Sequence, residues 1–253
     1  MTTSTLTTAD KPRPLTLAAW LWLAGMPGVA AVMLQLLPRM LAGHVSGQQM
    51  QTVQMAATAQ SAVLLALATW VGARCCRTVG LHAPVVEALI RRSPAAAARA
   101  FARQVGPGLV AGVAGALMLV AANRFAPPAL QAMLQTTHGE VLARVLYGGI
   151  TEELLIRWGC LSVLLWLARR VAPRAPDATA IVAIVASALL FGLGHLPAAM
   201  QLAGALTPAV LVIILLGNGL FGLVAGVLFW KRGLECAVLM HVLAHTFAAL
   251  AGA

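Results

Sequence analysis

Two adjacent glutamates, Glu152 and Glu153, precede Arg157 by five and four residues inside an apolar run from Val141 to Ala168. Downstream, Phe191 lies four residues before His195, and His241 four residues before His245. Carboxylates and imidazoles are the groups that move protons or ligate metals. They are expensive in an apolar helix, where one charged residue at the centre costs about 2.5–3.5 kcal/mol on insertion scales. The chain has only seven acidic residues, and two of them stand here together. The default reading is a functional site that other helices complete. Helical spacing puts Glu153 and Arg157 on one face, where they can pair, and turns Glu152 about 100° away without a partner. An internal ion pair that only locks the bundle would explain Glu153 and Arg157 but not Glu152.

The elements that position these groups follow from composition. The 253 residues are 60% hydrophobic and 9% charged, with mean hydropathy +0.88, against about 25% charged for a soluble domain. This predicts an integral membrane protein, a single domain of all-α architecture. The formal charge of +10 does not indicate a nucleic-acid partner, because the basic residues flank apolar segments and set their orientation. The partners expected are the lipid bilayer and a membrane-associated protein or peptide. Cys75, Cys76, Cys160 and Cys236 have neither metal-site nor disulfide-framework spacing and read as reduced thiols.

A polar tail, residues 1–14, precedes a first span over Leu15–Leu37, read as an uncleaved helix because it exceeds a signal-peptide core. Further spans are expected at Met50–Ala73, Pro107–Asn123, Glu140–Ala168, Ala178–His195, Ala209–Trp230 and Leu234–Leu250. Residues 74–106 form a basic cytoplasmic segment whose arginines alternate with Val85, Val86, Leu89 and Ile90, which predicts an amphipathic helix on the membrane surface, as an anchor or as a docking surface for substrate or anionic lipid. The fold class is therefore a polytopic helical bundle of about seven spans plus one interfacial helix. With a cytoplasmic N-terminus, thirteen of the seventeen Lys and Arg residues lie inside. Gly108, Gly112 and Gly115 predict a closely packed helix face. No internal repeat is evident, which argues against a carrier built from inverted halves.

Glu152-Glu153-xxx-Arg157, Phe191-xxx-His195 and His241-xxx-His245, in this order on successive apolar segments, resemble the three motifs of the CPBP family of intramembrane proteases, also called the CAAX-protease or Abi family. The resemblance covers residues 140–253, which it marks as a catalytic core. His245 departs from the family pattern, which has asparagine or a close variant there.

The resemblance implies peptide-bond hydrolysis in or at the membrane, with Glu152 as general base, His195 positioning the water, Glu153 and Arg157 in support, and His241 and His245 stabilising the oxyanion. Burial and Glu153 favour the neutral form of Glu152 while Arg157 opposes it. Glu152, His195, His241 and His245 are also an acceptable ligand set for zinc; metal-independent glutamate catalysis is the favoured reading and a zinc enzyme the alternative. Substrate classes known in or near the family are a prenylated C-terminal peptide, a bacteriocin-type leader and a membrane-anchored C-terminal sorting signal. The Ala- and Arg-rich composition suggests a bacterial inner membrane, where prenylated substrates are less expected. A non-catalytic binding or immunity protein and a proton-coupled carrier are the rivals from other classes.

Phe191 and Asn218 are candidate substrate contacts, Asn218 alternatively bonding between helices. Glu235, beside Lys231 and Arg232, reads as a surface residue. Depth poses a difficulty: at 1.5 Å per residue, Glu152 falls near mid-membrane, His195 near the outer end of its span and His241 about a third of the way from the inner end. Straight, upright helices would not bring them together.

Overall fold

The computed structural model describes residues 12–128, 131, 141–203 and 206–252. Most of the N-terminal tail, most of the connection after Arg124 and the start of the predicted fourth span lie outside the described residues. Among the described residues there is no strand. The helices are α1 (Pro14–Met40), α2 (Gly47–Val79), α3 (Pro84–Ile90), α4 (Pro94–Phe125), the motif helix α5, α6 (Pro176–Gly194), α7 (Leu196–Ala203), α8 (Pro208–Arg232) and α9 (Leu234–Leu250). Helix α5 joins Val141–Ala143, Arg144–Leu161 and Ser162–Val171 without a break. Among the described residues five helices, α1, α2, α4, α8 and the Pro176–Gln201 unit, are long and apolar enough to cross a membrane. Helix α5, interrupted by Glu152, Glu153 and Arg157, and α9, at 17 residues, fall outside that count.

The basic segment 74–106 is not one interfacial helix. Its first residues complete α2, which Gly80 ends in the left-handed region at φ 74°. Pro84 and Pro94 then start new helices, a position where the missing N–H costs nothing. Arg99 and Arg103 belong to α4, which continues through Pro107. Periodicity alone carried the amphipathic pattern across two helix breaks.

Glu235 is a structural tether rather than a surface residue. Its Oε1 accepts the backbone N–H groups of Val85 at 2.9 Å and Val86 at 3.0 Å. Glu87 Oε1 accepts that of Ala83 at 3.1 Å, and Leu234 N–H donates to the His82 carbonyl at 3.0 Å. Two carboxylates thus satisfy the otherwise unpaired donors at the start of α3 and complement its dipole. Gly233, at φ 112°, makes the turn possible, since a Cβ there would stand 2.6 Å from Pro84 Cδ.

Helix α5 runs through the middle of the bundle, with Trp158, Leu161 and Leu165 fully buried. Trp158 Nε1 donates to the Thr69 carbonyl at 3.1 Å, and Thr151 Oγ1 to the Gly25 carbonyl at 2.7 Å. Small residues let the backbones approach: Gly28 faces the Leu146 carbonyl and Gly159 faces Ala68. On α4, Gly108, Gly112 and Gly115 seat Leu239, Leu243 and Ala244 in turn, so α4 and α9 run parallel. The expected close-packed glycine face is the seat of the helix that carries His241 and His245.

Candidate active site

From Arg144 to Leu161 the motif helix has the i→i+5 ladder of a π-helix, a rare form that concentrates at functional sites. Spacing alone predicted an ordinary α-helix. Nothing in apolar periodicity separates the two forms, which differ by one residue per hydrogen-bonded ring. Helix α1 also has a π segment, Val32–Leu36, at which Gln54 Nε2 donates to the Met33 carbonyl at 2.8 Å.

Glu153 and Arg157 are both fully buried, with Arg157 Nε 3.3 Å from Glu153 Oε2. The other carboxylate oxygen, Oε1, lies 2.7 Å from His241 Nδ1. As a carboxylate held by a guanidinium, Glu153 can only accept, so His241 donates from Nδ1. Arg157 also stacks its guanidinium 4.4 Å from the centroid of the Phe191 ring, a cation–π contact strengthened by desolvation. Phe191 therefore belongs to the support of the ion pair as well as to the cavity wall. It meets His195 edge-on at 4.7 Å and His241 at 6.3 Å between centroids.

His195 stands at the C-terminus of α6, and its Nδ1 is 2.8 Å from the Phe191 carbonyl. A carbonyl only accepts, so His195 too donates from Nδ1 and, when neutral, keeps a lone pair on Nε2. His241 and His245 stack with centroids 5.0 Å apart. Both approach Gly148: a Cβ there would stand 2.9 Å from His245 Nε2 and 3.5 Å from His241 Nε2. Gly148 gives the two imidazoles their room.

Glu152, His195, His241 and His245 line one cavity of about 370 Å³, together with Phe191 and Asn218. The difficulty over depth is thereby answered: all four motif side chains line the same cavity. Asn218 Nδ2 donates to the Ile214 carbonyl of its own helix at 2.9 Å. The remaining wall is mostly apolar, from Val32, Leu36, Met118, Leu119, Ile213 and Phe221. Tyr147, Arg144 and Gly148 also line it. Sequence reasoning did not single out Tyr147 or Arg144, although their positions, five and eight residues before Glu152 on the motif helix, were a usable signal.

Zinc would need several of these donors at one point. Among the described residues no three His, Cys, Asp or Glu side chains gather in a way that could hold a metal ion, and His241 is bound to Glu153 rather than to Glu152.

Residues 134–247 match the family described as Rce1-like, type II CAAX prenyl endopeptidase. No curated protein and no solved structure matches the chain. The matched residues include all three motifs, each of which contributes side chains to the cavity. Over residues 134–247 the match supports the resemblance to the CPBP family of CAAX-type proteases.

Proposed function

We propose that this integral membrane protein hydrolyses a peptide bond of a membrane-associated protein or peptide, using water activated by Glu152 and His195. The observation that carries the reading is the single cavity that holds Glu152, His195, His241 and His245 within an apolar wall. Its family supplies the reaction class, a CAAX-type intramembrane protease.

In this reading water stands between the Glu152 carboxylate and His195 Nε2, both acceptors. Glu152 takes a proton as the oxygen attacks the scissile carbonyl carbon, and the same proton passes to the leaving amine as the C–N bond breaks. His245 Nε2 donates to the oxyanion. His241 has a condition attached. With Nδ1–H committed to Glu153, its Nε2 donates only when the ring is an imidazolium. Glu153 and Arg157 are thus positioning residues for His241, and Phe191 positions His195 through its carbonyl. Phe191 and Asn218 also face the substrate across the cavity.

Hydrolysis proceeds without a metal, and the membrane is a bacterial inner membrane with the N-terminus in the cytoplasm, the orientation that puts the basic loops inside. The substrate class is C-terminal or leader-peptide processing. The test compares new protein termini by mass spectrometry in host cells that carry the wild-type chain or Glu152→Gln, at equal membrane levels. Termini that vanish with Glu152→Gln identify the substrate. Unchanged termini remove the catalytic reading in favour of a binding or immunity protein.

A further inference from the structure

A second cavity, of about 390 Å³, shares no lining residue with the first. It lies where α2 and α8 end and α3 and α9 begin, with its walls drawn from the His82–Pro84 turn, α3, α4 and Phe229–Gly233. Arg91, Arg103, Lys231 and Arg232 line it against one carboxylate, Glu87. That carboxylate is occupied: it accepts the Ala83 N–H at 3.1 Å and stands 4.0 Å from His82 Nδ1. Among the described residues, neither Arg103 nor Arg232 forms an ion pair. The apolar part of the wall includes buried Phe229 and half-buried Trp230, whose ring carries Lys231 Nζ 3.3 Å from its centroid.

This arrangement has two requirements. Arg103 and Arg232 call for an anion, and a wall that sets Phe229 and Trp230 beside basic side chains at the ends of membrane-crossing helices calls for one that is attached to an apolar body. An aromatic residue beside a basic one at a helix end marks headgroup depth, and basic pockets between helices at the cytoplasmic side suit anionic headgroups. We propose that this cavity binds the phosphate of an anionic phospholipid headgroup. Arg103 and Arg232 contact the phosphate oxygens, Lys231 closes over them, and the acyl chains leave along the Phe229–Trp230 side. The cavity is a cleft rather than a diffuse basic surface, so removal of other exposed arginines does not reproduce the effect of emptying it.

The test is native mass spectrometry of the full chain released from nanodiscs of phosphatidylcholine with a minor fraction of phosphatidylglycerol. The wild type is expected to retain phosphatidylglycerol over phosphatidylcholine by about tenfold or more, and the Arg103→Gln/Lys231→Gln/Arg232→Gln variant to lose that preference. The variant with lysine at Arg103 and Arg232 keeps the charge and is expected to keep most of the preference, which separates binding from folding. Three outcomes overturn the proposal: equal retention of the two lipids by the wild type; the same loss in Arg13→Gln/Arg170→Gln/Arg174→Gln, which marks a diffuse field; and displacement of phosphatidylglycerol by inorganic phosphate alone, which marks a soluble-phosphate site.

Discussion

His241 Nδ1 lies 2.7 Å from Oε1 of Glu153, not of Glu152. The two glutamates are adjacent in sequence, yet the structure divides them. Glu153 is sealed between Arg157 and His241, and Glu152 lines the cavity. One carboxylate has its charge compensated by protein groups and the other faces the space a substrate would enter. The first set of predictions rests on that division.

Glu152→Gln removes the proposed base and leaves the buried pair intact. The expected outcome is a loss of cleavage of about 10²–10⁴-fold, with membrane abundance and thermal stability in detergent unchanged. Retained turnover with Glu152→Gln would show that another group takes the proton.

Arg157→Ala strands a buried carboxylate, and Glu153→Ala strands a buried guanidinium. Each is expected to destabilise the protein by about 3–5 kcal/mol, read as a lower unfolding temperature and less protein in the membrane. Replacing both, as Glu153→Gln with Arg157→Met, is expected to recover part of that stability, because no lone charge remains. Activity is not expected to return, since His241 has lost the carboxylate that orients it.

Two glycines separate packing from chemistry. At Gly28 a Cβ would stand 2.6 Å from the Leu146 carbonyl oxygen, which is backbone and cannot yield cheaply. Gly28→Ala is therefore expected to lower stability. At Gly148 the nearest atom is His245 Nε2, at 2.9 Å, the end of a side chain that can turn away. Gly148→Ala is expected to leave unfolding little changed and to lower kcat. A measurement of both quantities on both variants checks the distinction.

His245 stands where the family pattern has asparagine, and either residue can donate a hydrogen bond. His245→Asn is expected to retain activity within about tenfold, whereas His245→Ala, which removes the donor, is expected to cost about 10²–10³-fold in kcat. Equal losses in the two would assign His245 a role other than donation.

Cleavage is expected to continue after the purified protein is treated with a strong zinc chelator and exchanged into metal-free buffer. Metal analysis of the treated sample accompanies the rate measurement. Activity lost on chelation and restored by zinc would establish the metal-dependent alternative.

The residues that line the cavity were largely legible because their signal is local. A charge in an apolar run stands out at any depth of the fold, and four-residue steps such as Phe191 to His195 translate directly into a contacting pair, edge-on at 4.7 Å. The glycine face at Gly108, Gly112 and Gly115 was legible for the same reason. Three features were not. The amphipathic pattern across residues 74–106 masked the breaks at Gly80, Pro84 and Pro94. Glu235 looked like a surface charge because its partners, Val85 and Val86, are about 150 residues away and use backbone N–H groups that no side-chain pattern reports. The π-helical ladder of α5 lies in a nearly continuous apolar run, which carries no period from which it could be read.

Sequence by itself determined that this is a helical membrane protein and that Glu153 and Arg157 share a face. It also determined the order in which the polar motifs occur, because apolar content and helical spacing are properties of one segment at a time. Only the tertiary structure decided that His241 pairs with Glu153, that Glu152 opens to the cavity, and that His195 and His241 line the same cavity despite their different expected depths. Those relationships depend on how the helices are staggered and how closely they approach. Both are set by glycine contacts such as Gly112 against Leu243 and Gly28 against Leu146, made between residues far apart in the chain.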